Sequence, residues 1–240
     1  MKIGILVTNT DNSAYAQSQP RDGEKFTRLI HSVRSDWKCL VYLCPDGQFP
    51  SDLHECDAYI IGGSPASVND NALWIAQLFE VIRKLHQQEI PIVGCCFGHQ
   101  AIAKALGGAV NDNPGSMIFG VSETIFTHSM KWMQPKHRSL ALFAAHGEQV
   151  SKLPVDARII GEGTACPVGS FVIGNHIMTT EYHPEMTKDF FMGLTYAFEN
   201  EVGSGIAAEA RRQGQTETDG PIFAEWMARF FEGAVAKQVN

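Results

Sequence analysis

The strongest chemical signal in the chain is a cysteine at a predicted strand-to-helix turn. Cys96 lies between Gly94 and Gly98, after the apolar run 91–93 and before a helical pattern that begins at His99. Glycines leave room for a nucleophile elbow, in which the side chain projects above the carboxyl edge of a sheet. The amino terminus of the following helix favours a thiolate there. The segment therefore predicts a nucleophile, and the alternative is a cysteine packed as a small apolar group.

A cysteine nucleophile needs a base, and the base needs an orienting group. His183 follows a strand predicted over 176–182 and precedes a proline that ends this strand at a defined place. Glu185 can hold one ring nitrogen so that the other faces Cys96. The alternatives are a structural histidine and, for Glu185, an acid that begins the helix predicted over 186–200.

Attack on an amide carbonyl creates an oxyanion, which requires preorganised donors. The N–H group of Phe97, directly after the cysteine, is one candidate. The N–H group of Gly63, just past a strand predicted over Ala58–Ile61, is the second. For the glycine pair at 62–63, the alternative is an ordinary turn that ends the strand.

Four segments, in order along roughly residues 40–190, resemble the class I, or triad, glutamine amidotransferases. Residues 61–65 (IGGSP) are similar to the oxyanion strand of that family, and residues 94–100 (GCCFGHQ) to its nucleophile motif. Residues 144–150 (AAHGEQV) are similar to the substrate loop of the GMP-synthetase-type members, and residues 183–185 (HPE) to the His-Pro-Glu motif. The resemblance implies a free-standing amidotransferase with a Cys96–His183–Glu185 triad and no metal or organic cofactor. It also assigns an oxyanion donor to the second glycine, Gly63.

The same resemblance implies a set of substrate-binding positions. The side chain of Gln100 would help to hold the amino-acid end of the substrate, and backbone around the His146 motif would bind its α-amino and α-carboxylate groups. The matching positions are Gln100, Ala145, His146, Gly147 and Glu148. For Gln100, the alternative is an ordinary polar helix residue.

The chain departs from the family pattern in one pocket segment. Residues 113–120 resemble a segment that often carries Trp and Glu before a final Ile-Gly, whereas this chain has Met117 and Ile118 at those places. The departure predicts a pocket with different chemistry.

Strand-like and helix-like segments alternate along the first half, which predicts an α/β fold: an open, mostly parallel sheet flanked by helices, of the flavodoxin-like class I amidotransferase type. A small antiparallel addition and a helical C-terminal extension follow. We expect a single domain over residues 1–240, with a core at about 1–190 and the extension at about 191–240. Predicted strands cover 2–7, 39–43, 58–61, 90–94, 119–126, 140–144, 157–160, 170–173 and 176–180, and predicted helices cover 24–33, 71–88, 99–106, 186–200, 201–210 and 221–236.

Composition excludes several classes of protein. The 240 residues include 19 basic and 26 acidic side chains, for a net charge of −7, so the chain lacks the basic footprint of a nucleic-acid binder. No apolar run approaches the roughly 20 residues needed to span a bilayer. Six cysteines are too sparse for a disulfide scaffold and lack zinc-site spacing. With no export signal, we expect a cytoplasmic protein with reduced thiols, in which the cysteines other than Cys96 pack or are incidental.

The functional hypothesis is hydrolysis of the glutamine side-chain amide through a γ-glutamyl thioester on cysteine, with ammonia passed to an acceptor or a separate synthetase subunit. The alternative substrate is a γ-glutamyl peptide or amide, hydrolysed by the protein alone. A non-catalytic regulatory protein on the same fold is a third hypothesis. The aromatic residues of the extension predict either extra core or a surface for a homodimer or partner, and residues 69–71 predict a helix-capping cluster rather than a metal site.

Overall fold

The computed structural model describes residues 1–115 and 117–238, so residue 116 of the predicted pocket segment and the last two residues of the predicted extension lie outside the described part. The described strands are β1 (Lys2–Val7), β2 (Lys38–Leu43), β3 (Ala58–Ile61), β4 (Ile92–Cys95), β5 (Ala109–Asp112), β6 (Ile118–Phe126), β7 (Ser139–His146), β8 (Glu148–Lys152), β9 (Ala157–Gly163), β10 (Ser170–Ile173) and β11 (Ile177–Thr180). The helices are α1 (Ala14–Gln17), α2 (Asp22–His31), α3 (Leu73–Gln87), α4 (Phe97–Ala105), α5 (Lys188–Ala197), α6 (Glu199–Val202), α7 (Ser204–Gln213) and α8 (Gly220–Gln238).

Five parallel strands form one half of the main sheet, in the order β2-β1-β3-β4-β11. Strands β3, β4 and β11 are buried along their whole length, as expected for parallel strands that are covered on both faces. Ile61 pairs with Gly94, and Thr180 pairs with Cys95. The chain segments that follow these three strands therefore emerge side by side at the carboxyl edge of the sheet.

The second half of the same sheet is antiparallel and continues as β10-β9-β6-β7. The predicted α/β class is confirmed, with five of the nine strands that the structure describes in this sheet being parallel. The antiparallel part is larger than the small addition predicted. Strands β5 and β8 form a separate two-stranded sheet that the sequence did not predict, because their short segments AVND and EQVSK end in exposed polar residues.

Some helices begin or end at residues other than those predicted. Helix α3 begins at Leu73 behind Ala72, which makes no side-chain cap, so the predicted capping cluster at 69–71 is wrong. Asp70 instead accepts the N–H of Ser67 at 3.0 Å within a turn. The short helix α1 lies between the predicted strand 2–7 and the predicted helix 24–33, where no helix was predicted. Helix α7 continues to Gln213, beyond the end of the helix predicted over 201–210.

Helix α8 packs its aromatic residues into the core between α2 and β7. Trp226 is fully buried, its Nε1 donates to the carbonyl of Pro135 at 2.8 Å, and its ring meets Phe126 edge-on. Phe223 and Phe231 are also buried. These contacts support the prediction that the extension supplies extra core, while the single-domain boundaries stay a prediction. Within 1–115 and 117–238, no helix is both long and apolar enough to cross a membrane.

Candidate functional site

Cys96 occupies a strained turn between β4 and α4. Its φ of 51° and ψ of −110° are rare for a residue with a side chain, and its N–H donates to the carbonyl of Thr180 at 2.9 Å. It is the N-cap residue of α4, so its sulfur lies at the positive end of the helix dipole. Cys95 is fully buried in the core, where burial, with the charge of Glu185, raises the pKa of its thiol well above the ordinary value. The two neighbours therefore differ as predicted, since only Cys96 lines a pocket.

The two glycines of the turn are required by close backbone contacts. A Cβ atom on Gly98 would collide with the carbonyl oxygen of Ile61, and one on Gly94 would lie 2.7 Å from the carbonyl oxygen of Gly98. The N–H of Gly98 also donates to the carbonyl of Gly62 at 3.0 Å. This bond fixes the start of α4 to the loop that carries Gly63.

His183 and Glu185 form a buried pair beside the cysteine. Nδ1 of His183 lies 2.8 Å from Oε1 of Glu185, which leaves Nε2 for Cys96. Burial alone would lower the pKa of His183, but a thiolate at Cys96 and the carboxylate of Glu185 outweigh it and raise that pKa well above the ordinary value. The arrangement can therefore hold a thiolate–imidazolium pair.

The predicted oxyanion glycine, Gly63, lies against both Cys96 and His183. A Cβ atom on Gly63 would be 2.7 Å from Cε1 of His183 and 3.7 Å from Cβ of Cys96. The hydroxyl of Thr8 lies 3.0 Å from the carbonyl oxygens of both Gly62 and Gly63 and anchors this loop from β1. Sequence reasoning missed Thr8, which directly follows the predicted strand 2–7 and belongs to no recognisable motif.

One pocket of about 120 Å³ brings together five predicted site residues: Gly63, Cys96, Ala145, His183 and Glu185. Met117, at one of the two positions where this chain departs from the Trp and Glu frequent in the family, also lines it. The structure does not bring Phe97, Gln100, His146, Gly147 or Glu148 into the lining of this pocket. Within the described chain, no group of three or more His, Cys, Asp or Glu side chains could hold a metal ion.

The side chains of Gln100 and Glu148 form hydrogen bonds with other parts of the protein and do not line the pocket. Nε2 of Gln100 donates to Oε1 of Glu181 at 2.7 Å and to the carbonyl of Glu148 at 3.0 Å. The carboxylate of Glu148 accepts from Ser67 at 2.8 Å and from Asn69 at 3.1 Å. The bond from Gln100 holds the start of β8 against α4, and the bonds to the Glu148 carboxylate hold it against the segment between β3 and α3.

Glu181 is a fully buried acid that sequence reasoning missed. Its Oε2 lies 3.4 Å from Nε2 of His99, whose pKa is lowered to about 3 by burial and by His146. Nδ1 of His99 lies 2.8 Å from the hydroxyl of Thr179.

Burial, followed by the charge of a thiolate at Cys96, raises the pKa of Glu181 well above its ordinary value. The only sequence signal for this acid is a carboxyl group in an otherwise uncharged run of strand residues, two positions before His183.

We expect Glu181→Gln to stabilise the protein increasingly as pH rises. A carboxyl whose pKa is higher in the folded state than in the unfolded state favours folding below the unfolded value, about 4.5, and loses that contribution as pH rises toward the folded value. Glutamine keeps the acceptor for Gln100 without ionising. The melting temperature of the variant should exceed that of the wild type by several degrees at pH 8, at about 2–4 °C per kcal/mol, and by less at pH 5.

Thermal denaturation followed by circular dichroism from pH 5 to pH 8 measures this gap. The matched control is Glu201→Gln, which removes an exposed carboxyl and should leave the gap small and constant. A gap for Glu181→Gln that shrinks or changes sign with rising pH would contradict an uncharged Glu181.

The chain is similar in sequence to proteins of known families. The sequence model of the family described as Glutamine amidotransferase class-I matches residues 23–192. Gamma-glutamyl peptidase 3 of Arabidopsis thaliana is 33% identical over 161 residues, which cover 62% of this chain and 63% of that protein. A glutamine-hydrolyzing GMP synthase of Neisseria meningitidis is 30% identical over 175 residues, which cover 69% of this chain and 32% of that protein.

The fold is shared with solved structures. The crystal structure of a glutamine amidotransferase from Thermotoga maritima superposes with a TM-score of 0.74 over 97% of each chain, at 18% identity. The chain spans a little under two thirds of the length of the gamma-glutamyl peptidases that it matches, at 62–63% for the first three.

Proposed function

Since the chain belongs to the class-I glutamine amidotransferase family, we propose that it hydrolyses the side-chain amide of glutamine or of a γ-glutamyl compound through a Cys96–His183–Glu185 triad. The observation that carries the proposal is the pocket in which the elbow cysteine meets a histidine whose second nitrogen is held by a carboxylate at 2.8 Å. All three positions carry side chains that can perform the reaction, which argues against a purely regulatory role.

In the proposed mechanism, the thiolate of Cys96 attacks the γ-carbonyl carbon, and N–H groups of Gly63 and Phe97 stabilise the oxyanion. His183 protonates the leaving nitrogen, the C–N bond breaks, and a γ-glutamyl thioester remains on sulfur. His183 then takes a proton from water, the resulting hydroxide attacks the thioester, and glutamate leaves with return of the thiolate. Glu185 keeps the imidazole in one orientation and stabilises its charged form.

Two substrate classes fit this mechanism. Free glutamine would give ammonia for a separate synthetase subunit, and the similarity to the glutaminase part of a GMP synthase supports this substrate. A γ-glutamyl peptide or amide would give a free amine without a partner, and the similarity to a gamma-glutamyl peptidase supports that one. A homodimer would be compatible with either reaction.

A panel of glutamine, γ-glutamyl peptides and matching α-glutamyl peptides tests the proposal. We expect release of ammonia or free amine, together with glutamate, from the γ-linked compounds only, because the proposed pocket selects a side-chain amide. Coupled glutamate detection and amine analysis measure the products. Absence of turnover with every γ-linked compound, together with failure of a glutamine-derived chloroketone to label Cys96, would overturn it.

A further inference from the structure

A second cavity, of about 360 Å³, adjoins the pocket that contains Cys96. It lies at the carboxyl ends of β1 and β2, with Val7 and Leu43 in its wall. Five residues line both spaces, so the cavity and the pocket lie side by side. These shared residues are Asn9, Asp11, Asp22, Lys25 and Phe190.

The sizes of the two spaces indicate that they hold different portions of the substrate. The pocket around Cys96 measures about 120 Å³, below the range of roughly 300–1,000 Å³ that is usual for ligand sites. The adjoining cavity is three times as large and lies within that range. A site built for free glutamine alone has no use for this second space, whereas a γ-glutamyl compound with a larger amine portion does.

The order of the strands places the cavity on the leaving-group side. Cys96 and His183 follow β4 and β11 in the middle of the sheet, while Ala145 belongs to β7, whose Phe143 carbonyl accepts the N–H of His183 at 2.9 Å. The cavity lies at the opposite end of the sheet, beyond β3, over β1 and β2. If the glutamyl portion lies toward Ala145, the nitrogen protonated by His183 carries its substituent toward the cavity.

The junction between the two spaces is a built polar site. Nζ of Lys25 lies 2.9 Å from Oδ1 of Asp22 and 3.4 Å from the centroid of the Phe190 ring. Nδ2 of Asn9 donates to the other oxygen of Asp22 at 2.9 Å, and Asp22 is only 8% exposed. An ammonium has three donors and Asp22 takes one, so Lys25 can also donate to a carbonyl or carboxylate oxygen beside the scissile bond.

We propose that this cavity is the subsite for the amine portion of a γ-glutamyl amino acid or γ-glutamyl peptide, with Lys25 binding the first carbonyl or carboxylate oxygen after the scissile nitrogen. The inference rests on the proposed function and narrows its substrate class. Water then converts the compound into glutamate and a free amino acid or peptide, whose new amine takes the proton from His183. The apolar wall at Val7, Val41 and Leu43 would contact the leaving side chains.

The test fills the cavity without touching the pocket around Cys96. Ala16 lines only the cavity, so Ala16→Trp places bulk where the amine portion would lie. Ser18→Trp adds the same side chain two residues later, at an exposed position outside both linings, and is the matched control. Val41→Trp, at an exposed strand position in the cavity wall, is a second filling variant that does not depend on the short helix α1.

Binding and turnover are measured separately, with γ-glutamylglycylglycine and with glutamine. In a Cys96→Ala background, calorimetric titration should show that each filling variant weakens binding of the peptide about tenfold or more and leaves glutamine within about twofold, where tenfold corresponds to about 1.4 kcal/mol. With Cys96 present, kcat/KM for the peptide should fall by a similar factor. The control should match the parent protein for both compounds.

The two readouts distinguish the failure of each proposal. Peptide binding that is lost in the filling variants, in a protein that turns over neither the peptide nor any other γ-linked compound and is not labelled at Cys96 by the chloroketone, would overturn the proposed hydrolysis and support the subsite. Turnover of the peptide that neither filling variant alters, in folded protein verified by circular dichroism, would overturn the subsite and leave the hydrolysis standing. Equal losses for peptide and glutamine would also overturn it, because the cavity would then serve no separate portion of the substrate.

Discussion

Cys96→Ala is expected to reduce amide hydrolysis by about 10⁴-fold or more, since loss of one member of a catalytic triad removes nearly all of the nucleophilic contribution. The sulfur of Cys96 combines three features: an elbow with a φ of 51°, the N-terminus of α4, and a neighbouring histidine with a raised pKa. Alanine keeps the turn but removes the nucleophile. Steady-state release of glutamate from the best substrate of the γ-linked panel measures the loss.

The matched control for this prediction is the adjacent thiol. Cys95→Ala removes a fully buried sulfur whose thiol pKa is raised by burial and by the charge of Glu185, so it should cost stability and leave kcat within a few fold. Mass spectrometry after treatment with a glutamine-derived chloroketone should show one adduct, on Cys96. An adduct on another cysteine, or turnover that survives in Cys96→Ala, would exclude Cys96 as the nucleophile.

Sequence patterns were sufficient for the parts of the fold that are continuous in the chain. The buried strand Ala58–Ile61 reads as four apolar residues, and its observed bounds match the predicted ones. The pair β5 and β8 was missed because each strand is short and polar, and because their pairing, which sets Val110 opposite Val150, joins residues 40 apart in the chain. The predicted cap before α3 failed for a related reason, since Asp70 forms its bond within a turn to Ser67 rather than at the helix end.

The same distinction between local and long-range interactions decides which residues of the candidate site could be predicted from sequence. Cys96, His183 and Glu185 could be proposed from sequence because each lies in a short motif at the end of a strand. Glu181 could not, because its environment depends on Gln100, which lies 81 residues away in the chain.

The cavity beside the pocket could not be proposed either. At its junction with the pocket, Lys25 contacts the ring of Phe190, which lies far from it in the sequence. Long-range packing decides which polar groups are buried together, and no spacing in one segment encodes it.

Substitutions of the histidine and its carboxylate partner should have effects that do not add. We expect His183→Ala to lower kcat by about 10⁴-fold or more, and Glu185→Gln to lower it by a smaller but still large factor, because Glu185 acts through the imidazole that it orients. The double variant should be no worse than His183→Ala alone. Single-turnover and steady-state assays of the three variants form the required double-mutant cycle.

The pH profile separates this role of Glu185 from a merely structural one. Burial opposes the charge of His183, while a thiolate at Cys96 and the carboxylate of Glu185 raise its pKa. Since glutamine carries no charge, Glu185→Gln should lower that pKa, so that His183 loses its proton, and the enzyme its general acid, at a lower pH. The alkaline limb of kcat/KM should therefore move to lower pH in Glu185→Gln.

The alkaline limb should stay in place in Glu162→Gln, which neutralises an exposed carboxyl. A loss of activity in Glu185→Gln with an unmoved alkaline limb would mean that Glu185 supports the local fold without tuning the base. A double variant much less active than His183→Ala would mean that the carboxylate acts on the substrate directly. Either result would replace the triad by a Cys96–His183 dyad in which the 2.8 Å contact between His183 and Glu185 does not tune the base.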